Sequence, residues 1–255
     1  MRAEASRRSR VQAVTLDCWG TLLLDGPASD DRYKRQRLTG IQRVLAGAGI
    51  TVLPSQLDRA YADAAHWLGG IWQVNRDVSV REHVVTLLEI LTLGLPARLS
   101  VDIVDAVVHA YTSPALISPP AVDEGARVAL ESLAAQGIQL AVVSNTMRTP
   151  GEVLRQIFDK AGVLSVFKVL TFSDECRIRK PAPGIFLRTL GELGVRPEAA
   201  VHVGDDAILD VEGARDAGMR VIQVKSDGRA NAPVKPDAVI RHLGQLPAAL
   251  ARLRR

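Results

Sequence analysis

The sequence predicts an α/β fold: a parallel sheet with helices on both faces and a helical bundle inserted after its first strand. Three observations carry this reading. From residue 124 onward, short apolar runs alternate with segments of helical periodicity. Repeated strand–helix units of that kind build parallel sheets. One further apolar run, Val11 to Leu16, stands alone near the N-terminus, and residues 26–118 between the two regions show helical spacing only.

Taken in order, Val11 to Leu16 is a buried strand that delivers Asp17 to its C-terminal end, and a loop with Gly26 and Pro27 follows. Ser29-Asp30-Asp31 caps a helix over 32–46, and Ser55 caps one reaching residue 68. Ser79 opens a third through Val84, Leu87, Leu88 and Leu91, and Ser100 a fourth through Ile103, Val107 and Tyr111. Four such helices make a small bundle. Residues 112–122, with Pro114, Pro119 and Pro120, read as a linker. Helices are then expected over 124–135 (ended by Gly137), 151–161, 184–193 and 210–217, and within 243–253 from about Pro247. Strands are expected over 138–143, 169–172, 200–203, 220–224 and 238–240. The division that results is a core of 11–25 and 119–255, a helical insert of 26–118 and a basic tail of 1–10.

Composition excludes several classes of function. With 47% hydrophobic and 24% charged residues, the chain is globular rather than disordered. No apolar run approaches the roughly 18 residues of a membrane span. Met1 to Arg10 is basic without the apolar stretch of a secretory signal. The net charge of +4 is concentrated at the ends, in Arg2, Arg7, Arg8 and Arg10 and in Arg252, Arg254 and Arg255. The body between them is slightly acidic and lacks the basic footprint of a nucleic-acid binder. Two cysteines, Cys18 and Cys176, with no zinc-type spacing, fit a reduced cytoplasmic setting.

Four polar clusters lie at or just beyond predicted strand ends: Asp17; Ser144-Asn145-Thr146; Lys180; and Asp205-Asp206 with Asp210. In a parallel sheet those ends share one edge, where open α/β sheets bind ligands. The chemistry is mutually consistent. A carboxylate such as Asp17 can serve as a nucleophile. Gathering Asp17, Asp205 and Asp210 is costly without a cation, and a hard ion such as Mg²⁺ takes carboxylate and phosphate oxygens. Lys180 can hold a phosphate oxygen, and Ser144 with nearby backbone N–H groups can donate to it.

At these residues the chain resembles the haloacid dehalogenase-like hydrolase superfamily. Asp17-Cys18-Trp19-Gly20-Thr21 resembles its first motif, Ser144-Asn145 its second and Arg179-Lys180-Pro181-Ala182-Pro183 its third. Gly204-Asp205-Asp206-Ala207-Ile208-Leu209-Asp210, followed by Gly213-Ala214 and Ala217-Gly218, resembles the fourth. The resemblance implies a Rossmann-like core, a C1-type helical cap, Mg²⁺ and a covalent aspartyl intermediate. It implies a phosphatase acting on a small phosphorylated metabolite, with no nucleic-acid or membrane partner. By the same resemblance Asp17 is nucleophile and metal ligand, Asp205 and the Trp19 carbonyl complete the metal set, and Asp210 holds a metal-bound water or Lys180. Thr21, Ser144, Asn145 and Lys180 bind the transferred group, and Ser144, Lys180 and Asp210 count with Asp17 as catalytic.

Trp19 departs from the pattern. Phosphatases of the superfamily carry an Asp two residues past the nucleophile, as general acid and base, and an indole transfers no proton. General acid–base catalysis is worth about 10²–10⁴-fold. Three alternatives stay open. A carbon–halogen hydrolase needs no acid, although its relatives lack the carboxylate at Asp205, and Tyr33-Lys34-Arg35-Gln36 does not clearly supply its halide-binding Arg. Phosphonate cleavage would need a Schiff-base lysine in the insert, where Lys34 is the sole lysine between Gly26 and Thr112. A non-catalytic relative would keep the fold to bind a ligand or partner. Among lesser candidates, Tyr61, His66, Trp67 and Trp72 read as bundle core, His202 as a packed strand residue and Cys18 as a small buried side chain. His83, His109 and His242 have no partner at a telling spacing, and Asp206 either tunes the metal site or caps the following helix.

Overall fold

The computed structural model describes residues 11–24, 29–146, 148–225 and 234–253. The tail expected over 1–10, the loop glycine and proline at 26 and 27, and Arg254 and Arg255 lie outside them. Six strands form one parallel sheet: β1 (Ala13–Leu16), β4 (Gln139–Ser144), β5 (Phe167–Phe172), β6 (Ala200–Gly204), β7 (Arg220–Val224) and β8 (Ala238–Ile240). Their order is β5-β4-β1-β6-β7-β8. Every neighbouring pair is parallel. β1 lies between β4 and β6, so the sheet grows outward from β1 in both directions. The strand order reverses there, and the groups at the carboxyl end of β1 face a crevice.

Side-chain alternation assigns the two faces. Val14, Leu16, Leu140, Val142, Val201 and Val203 enter one apolar cluster. The helices α7 (Ala126–Ala135), α8 (Gly151–Lys160) and α12 (Leu246–Leu253) cover that cluster. Ala13, Ala141, Val143, Ala200 and Val221 enter the opposite cluster, with Ile185, Phe186 and Leu190 of α10 (Pro183–Leu193) and Ala214 of α11 (Gly213–Asp216). A parallel sheet buried on both faces needs near-continuous apolar strands, which is why those strands were readable.

The helices α1 (Ser29–Gly47), α2 (Pro54–Trp72), α3 (Val80–Leu91) and α5 (Val101–Thr112) enclose a third apolar cluster of their own. It includes Ile41, Leu45, Leu57, Ala64, Val84, Leu87, Leu88, Val107 and Tyr111. Ser79 and Glu82 close a reciprocal cap at the start of α3, and Ser100 Oγ accepts from Ile103 N at 3.4 Å at the start of α5. The cap expected at Ser55 is not there. Pro54 takes the first helical position, whose N–H would go unused, and Gln56 Oε1 accepts from Leu53 N at 3.2 Å instead. α2 also runs on through Gly69 and Gly70 to Trp72, because tertiary contacts at Trp72 outweigh the low propensity of two glycines.

The predicted linker is more ordered than expected. It holds the one-turn helix α6 (Pro114–Ile117) and the two-residue strand β3 (Ala121–Val122). β3 pairs antiparallel with β2 (Leu23–Leu24), closing the chain's way out of the sheet and back. Two further one-turn helices, α4 (Leu95–Arg98) and α9 (Ser173–Cys176), have no periodicity to reveal them. The helix expected over 210–217 begins as a π-helical stretch, Ala207–Glu212, and continues as α11. Asp206 caps it, accepting from Ile208 N and Leu209 N at 2.8 Å each.

The insert is fastened to the core next to Lys180. Asp77 N donates to Arg177 O at 3.2 Å, and Arg179 N donates to Asn75 O at 2.9 Å. Asp77 Oδ2 accepts from Arg179 Nη1 at 2.7 Å and from Ser173 Oγ at 2.5 Å, with both charged side chains less than a tenth exposed. Trp72 completes the joint: its Nε1 donates to Asp77 Oδ1 at 3.0 Å, and the Arg179 guanidinium lies 4.0 Å from its ring centroid.

Two expectations follow. Asp77→Ala strands a buried guanidinium and a buried hydroxyl, and should lower unfolding stability by about 3 kcal/mol in a urea titration. His83, which had no telling partner in the sequence, is buried and shares a 2.8 Å hydrogen bond with the Tyr111 hydroxyl. Burial pushes its pKa down to about 4, the nearby Arg148 and Arg37 add to this, and Asp77 opposes them. The unfolded chain therefore takes up a proton near pH 6.5 that the folded chain refuses until about pH 4. The stability from neutral His83 is complete above that range and lost as pH falls through it. The stability of the wild type relative to His83→Phe should drop by up to about 3 kcal/mol between pH 7 and pH 4. A pH-independent difference would show an unperturbed His83.

Candidate active site

The carboxyl edge of the sheet brings Asp17, Lys180, Asp205 and Asp210 together. Asp17 follows β1 and is fixed by its own backbone, whose N–H donates to Val203 O at 2.8 Å. Lys180 follows β5 by way of α9, and its ammonium donates to Asp17 Oδ1 at 2.5 Å and to Asp210 Oδ1 at 2.6 Å. Asp205 and Asp210 belong to the turn after β6, and one oxygen from each of Asp17, Asp205 and Asp210 lies within 4.8 Å of the others. Two glycines permit this crowding. Gly20, at φ +77°, leaves no room for a Cβ, which would stand 2.6 Å from the Asp205 carboxylate carbon. A Cβ on Gly204 would collide with the Asp210 carboxylate.

Burial and charge pull these groups in different directions. Burial pushes Asp17 up to about 7, helped by Asp210 and resisted by Lys180. Burial likewise raises Asp205 to about 6, with Asp210 adding to the effect. For Asp210 burial is outweighed by Lys180 and His202, which hold its carboxyl well below the usual range. Lys180 stays charged despite burial because Asp17 and Asp210 hold its ammonium above the ordinary value. The all-oxygen cluster retains more negative charge than one lysine balances, and a hard divalent cation fits such a donor set.

His202 is a site residue that sequence reasoning placed in the packed strand. Its Nε2 lies 3.0 Å from Asp210 Oδ1 and its Nδ1 lies 2.8 Å from Thr15 Oγ1. Burial lowers its pKa, so the ring is neutral. An ionised carboxylate only accepts, so Nε2 carries the proton and Nδ1 accepts from the Thr15 hydroxyl. The second Asp210 oxygen accepts from Asp206 N at 3.0 Å. Gln223 Nε2 holds the Asp205 carbonyl at 3.1 Å. The available signal was two polar residues, Thr15 and His202, inside apolar strands that turn out to be paired in register.

Asn145 turns its amide to the backbone of Lys180. Its Nδ2 donates to Lys180 O at 3.1 Å, and its Oδ1 accepts from Lys180 N at 2.9 Å. This two-point grip fixes where the ammonium starts. Ser144 Oγ and Thr21 Oγ1 are buried and have no hydrogen-bond partner within the protein, and the same holds for Trp19 Nε1 and Arg148 Nε. Neither hydroxyl is bonded to the carboxylate cluster. Trp19 packs half-buried against the apolar cluster of the sheet and lines a cavity shared with the insert.

Other candidates fall away from the site. Lys34 pairs with Asp58 at 2.7 Å on the surface of the insert. Cys18 is wholly buried among apolar side chains. Tyr61 is bundle core and Trp67 is 37% exposed, while Trp72 serves the joint with Arg179. Arg37 escaped notice one residue beyond Tyr33-Lys34-Arg35-Gln36. It is 4% exposed on the inner face of α1, and it lines the cavity with Trp19.

Comparison with known proteins agrees with this geometry. The chain is 32% identical over 123 residues to the haloacid dehalogenase-like hydrolase domain-containing protein 3 of Danio rerio, covering 48% of this chain and 49% of that protein. It is 34% identical over 112 residues to a phosphoserine phosphatase of Thermus thermophilus, covering 44% of each. These matches span about half the length of either relative. A 2-haloacid dehalogenase from Pseudomonas syringae has the same fold, with a TM-score of 0.68 and 24% identity over 95% of this chain and 99% of its own. No helix among the described residues is long and apolar enough to cross a membrane. The family model for haloacid dehalogenase-like hydrolases matches residues 11–218, and the chain belongs to that family.

Proposed function

We propose that this hydrolase is a Mg²⁺-dependent phosphatase that releases phosphate from a small phosphorylated metabolite through an aspartyl-phosphate intermediate. One observation carries the reading: an oxygen-only cluster of Asp17, Asp205 and Asp210 stands at the strand edge that also holds the unpartnered Ser144 and Thr21 hydroxyls. Mg²⁺ held by Asp17, Asp205 and the backbone carbonyl of Trp19 would supply positive charge to the transferring phosphoryl group. The phosphoserine phosphatase likeness points the same way.

Asp17 attacks phosphorus as the bond from phosphorus to the leaving oxygen breaks, giving an acyl phosphate on its carboxylate. Ser144 and Thr21 donate hydrogen bonds to the phosphoryl oxygens, and Lys180 keeps the nucleophile ionised until the phosphate takes over part of its charge. Asp210, gripped by His202 and Asp206 N, holds Lys180 in place, and Asn145 fixes its backbone. Water then attacks the acyl phosphate at phosphorus, freeing phosphate and restoring Asp17. Trp19 cannot protonate the departing oxygen, so the enzyme favours esters whose leaving group departs as a stable anion or draws its proton from water. Residues 26–118 act as a C1-type cap over a core of 11–25 and 119–255. A chain whose two cysteines, Cys18 and Cys176, show no zinc-type spacing suits a reducing cytoplasm.

A second reading, carbon–halogen hydrolysis, draws on Trp19, since a leaving halide needs no proton. Metal dependence separates the two. Phosphate release should vanish in EDTA and return with Mg²⁺, and Asp17→Asn should reduce it at least about a thousandfold. Turnover of a 2-haloacid that persists in EDTA would favour the second reading. Trp19→Asp should raise kcat on alkyl phosphates by about 10²-fold while leaving aryl phosphates little changed. An equal effect on both classes would sink the missing-acid account.

A further inference from the structure

Between the sheet edge and the insert lies a cavity of about 30 Å³. Trp19, Thr146, Arg148 and Thr149 wall it from the loops after β1 and β4, and Tyr33 and Arg37 wall it from α1. Trp19 is two residues beyond Asp17, and Thr146 is two beyond Ser144, so two of its wall residues sit on the segments that carry groups assigned to phosphoryl transfer.

Two independent features of its wall call for an anion. The first is unmet hydrogen bonding. Trp19 Nε1 and Arg148 Nε are both buried donors with no acceptor in the protein, and both residues line this one cavity. An unmet buried donor is costly, and an acceptor that reached it would remove that cost. The second is unbalanced charge. Arg37 donates from Nε to Tyr111 O at 3.0 Å, and its guanidinium lies 5.3 Å from the Tyr111 ring centroid. The Arg148 guanidinium lies 5.2 Å from the Tyr61 centroid. Such contacts orient a guanidinium without neutralising it. Among the described residues neither arginine forms an ion pair. The carboxylate on the wall is Asp30, which is exposed to solvent, so two largely enclosed cations face one screened anion.

Size narrows the ligand. About 30 Å³ takes roughly two water-sized groups, which matches the two oxygens of a carboxylate. A planar carboxylate also meets guanidinium donors in matched geometry. We propose that this cavity is a carboxylate subsite, and that the substrate is a small phosphate ester carrying a carboxylate a few bonds from its phosphate. The assignment of the phosphate end rests on the phosphatase reading above; the carboxylate end rests on Trp19, Arg37 and Arg148.

The test uses the full chain with Asp17→Asn, which prevents turnover, in the presence of Mg²⁺. Calorimetric titration compares 2-phosphoglycolate with ethyl phosphate, which differ in a carboxylate against a methyl group. The carboxylate ligand should bind about tenfold or more tightly. Adding Arg148→Met or Trp19→Phe should shrink that ratio, the second by removing one N–H while keeping the ring's shape, so that a poorly folded Arg148 variant does not decide the matter. Equal affinities in the Asp17→Asn background, or a ratio untouched by both substitutions, would overturn the subsite. Turnover by the wild type is read separately, on an aryl phosphate with Mg²⁺. If no phosphate is released there, the phosphatase reading fails, while the affinity ratio still decides whether a carboxylate is recognised.

Discussion

One ammonium group holds the carboxyl edge of the sheet together. Lys180 is 3% exposed and stands between Asp17 and Asp210, which without it would bring like charges into a space from which water is largely excluded. Buried carboxylates of that kind resist joint ionisation. Lys180 resolves part of the conflict, and its placement is over-determined. Asn145 grips its backbone on both sides, and the preceding Arg179 is anchored to Asp77 across the boundary with the insert. β4, β5 and the insert thus all contribute to the position of one nitrogen.

Polar groups on this edge fall into two kinds. Asp210, His202, Thr15 and Asp206 N satisfy one another in a closed chain of hydrogen bonds beneath the site. Closed networks in a low-dielectric interior resist rearrangement. Thr21, Ser144, Trp19 and Arg148 have buried donor or acceptor atoms without partners. Most buried polar atoms in folded proteins are paired, and these four residues lie at the end of, or just after, β1 and β4. The paired half supports the charges, and the other half keeps hydrogen-bonding capacity that the protein itself does not use.

Much of this was legible because the sheet is buried on both faces and its strands are therefore plain apolar runs. The clusters after Leu16, Val143 and Val203 were legible because chemistry in such sheets gathers at strand ends. What escaped has physical reasons. β2 and β3 are two residues each, too short for any period to register. The Ser55 cap failed because Pro54 made a better first residue. Asn145 looked like a ligand for phosphate, but an amide beside a flexible lysine has an equally good use on the backbone of Lys180. His202 was ambiguous because a polar residue in an apolar strand reads as packing until its partner Thr15 is known. The pairing of Asp77 with Arg179 spans 102 residues and leaves no local trace in either segment. Arg37 was hidden for the same reason, since its role depends on how α1 docks against the loop after β1.

The joint at Asp77 bears on how the insert could be exchanged for another. Its acid, its Trp72 platform and the backbone of Asn75 all come from the insert, whereas Arg179 and Ser173 belong to the core. An engineer who grafts a foreign helical insert onto this sheet replaces more than the bundle itself. Unless the graft brings an equivalent acid and ring, the core receives an unmatched cation immediately before Lys180. The insert and the sheet edge therefore cannot be recombined as independent modules, and a change in the first must be designed together with the segment that carries Arg179 and Lys180.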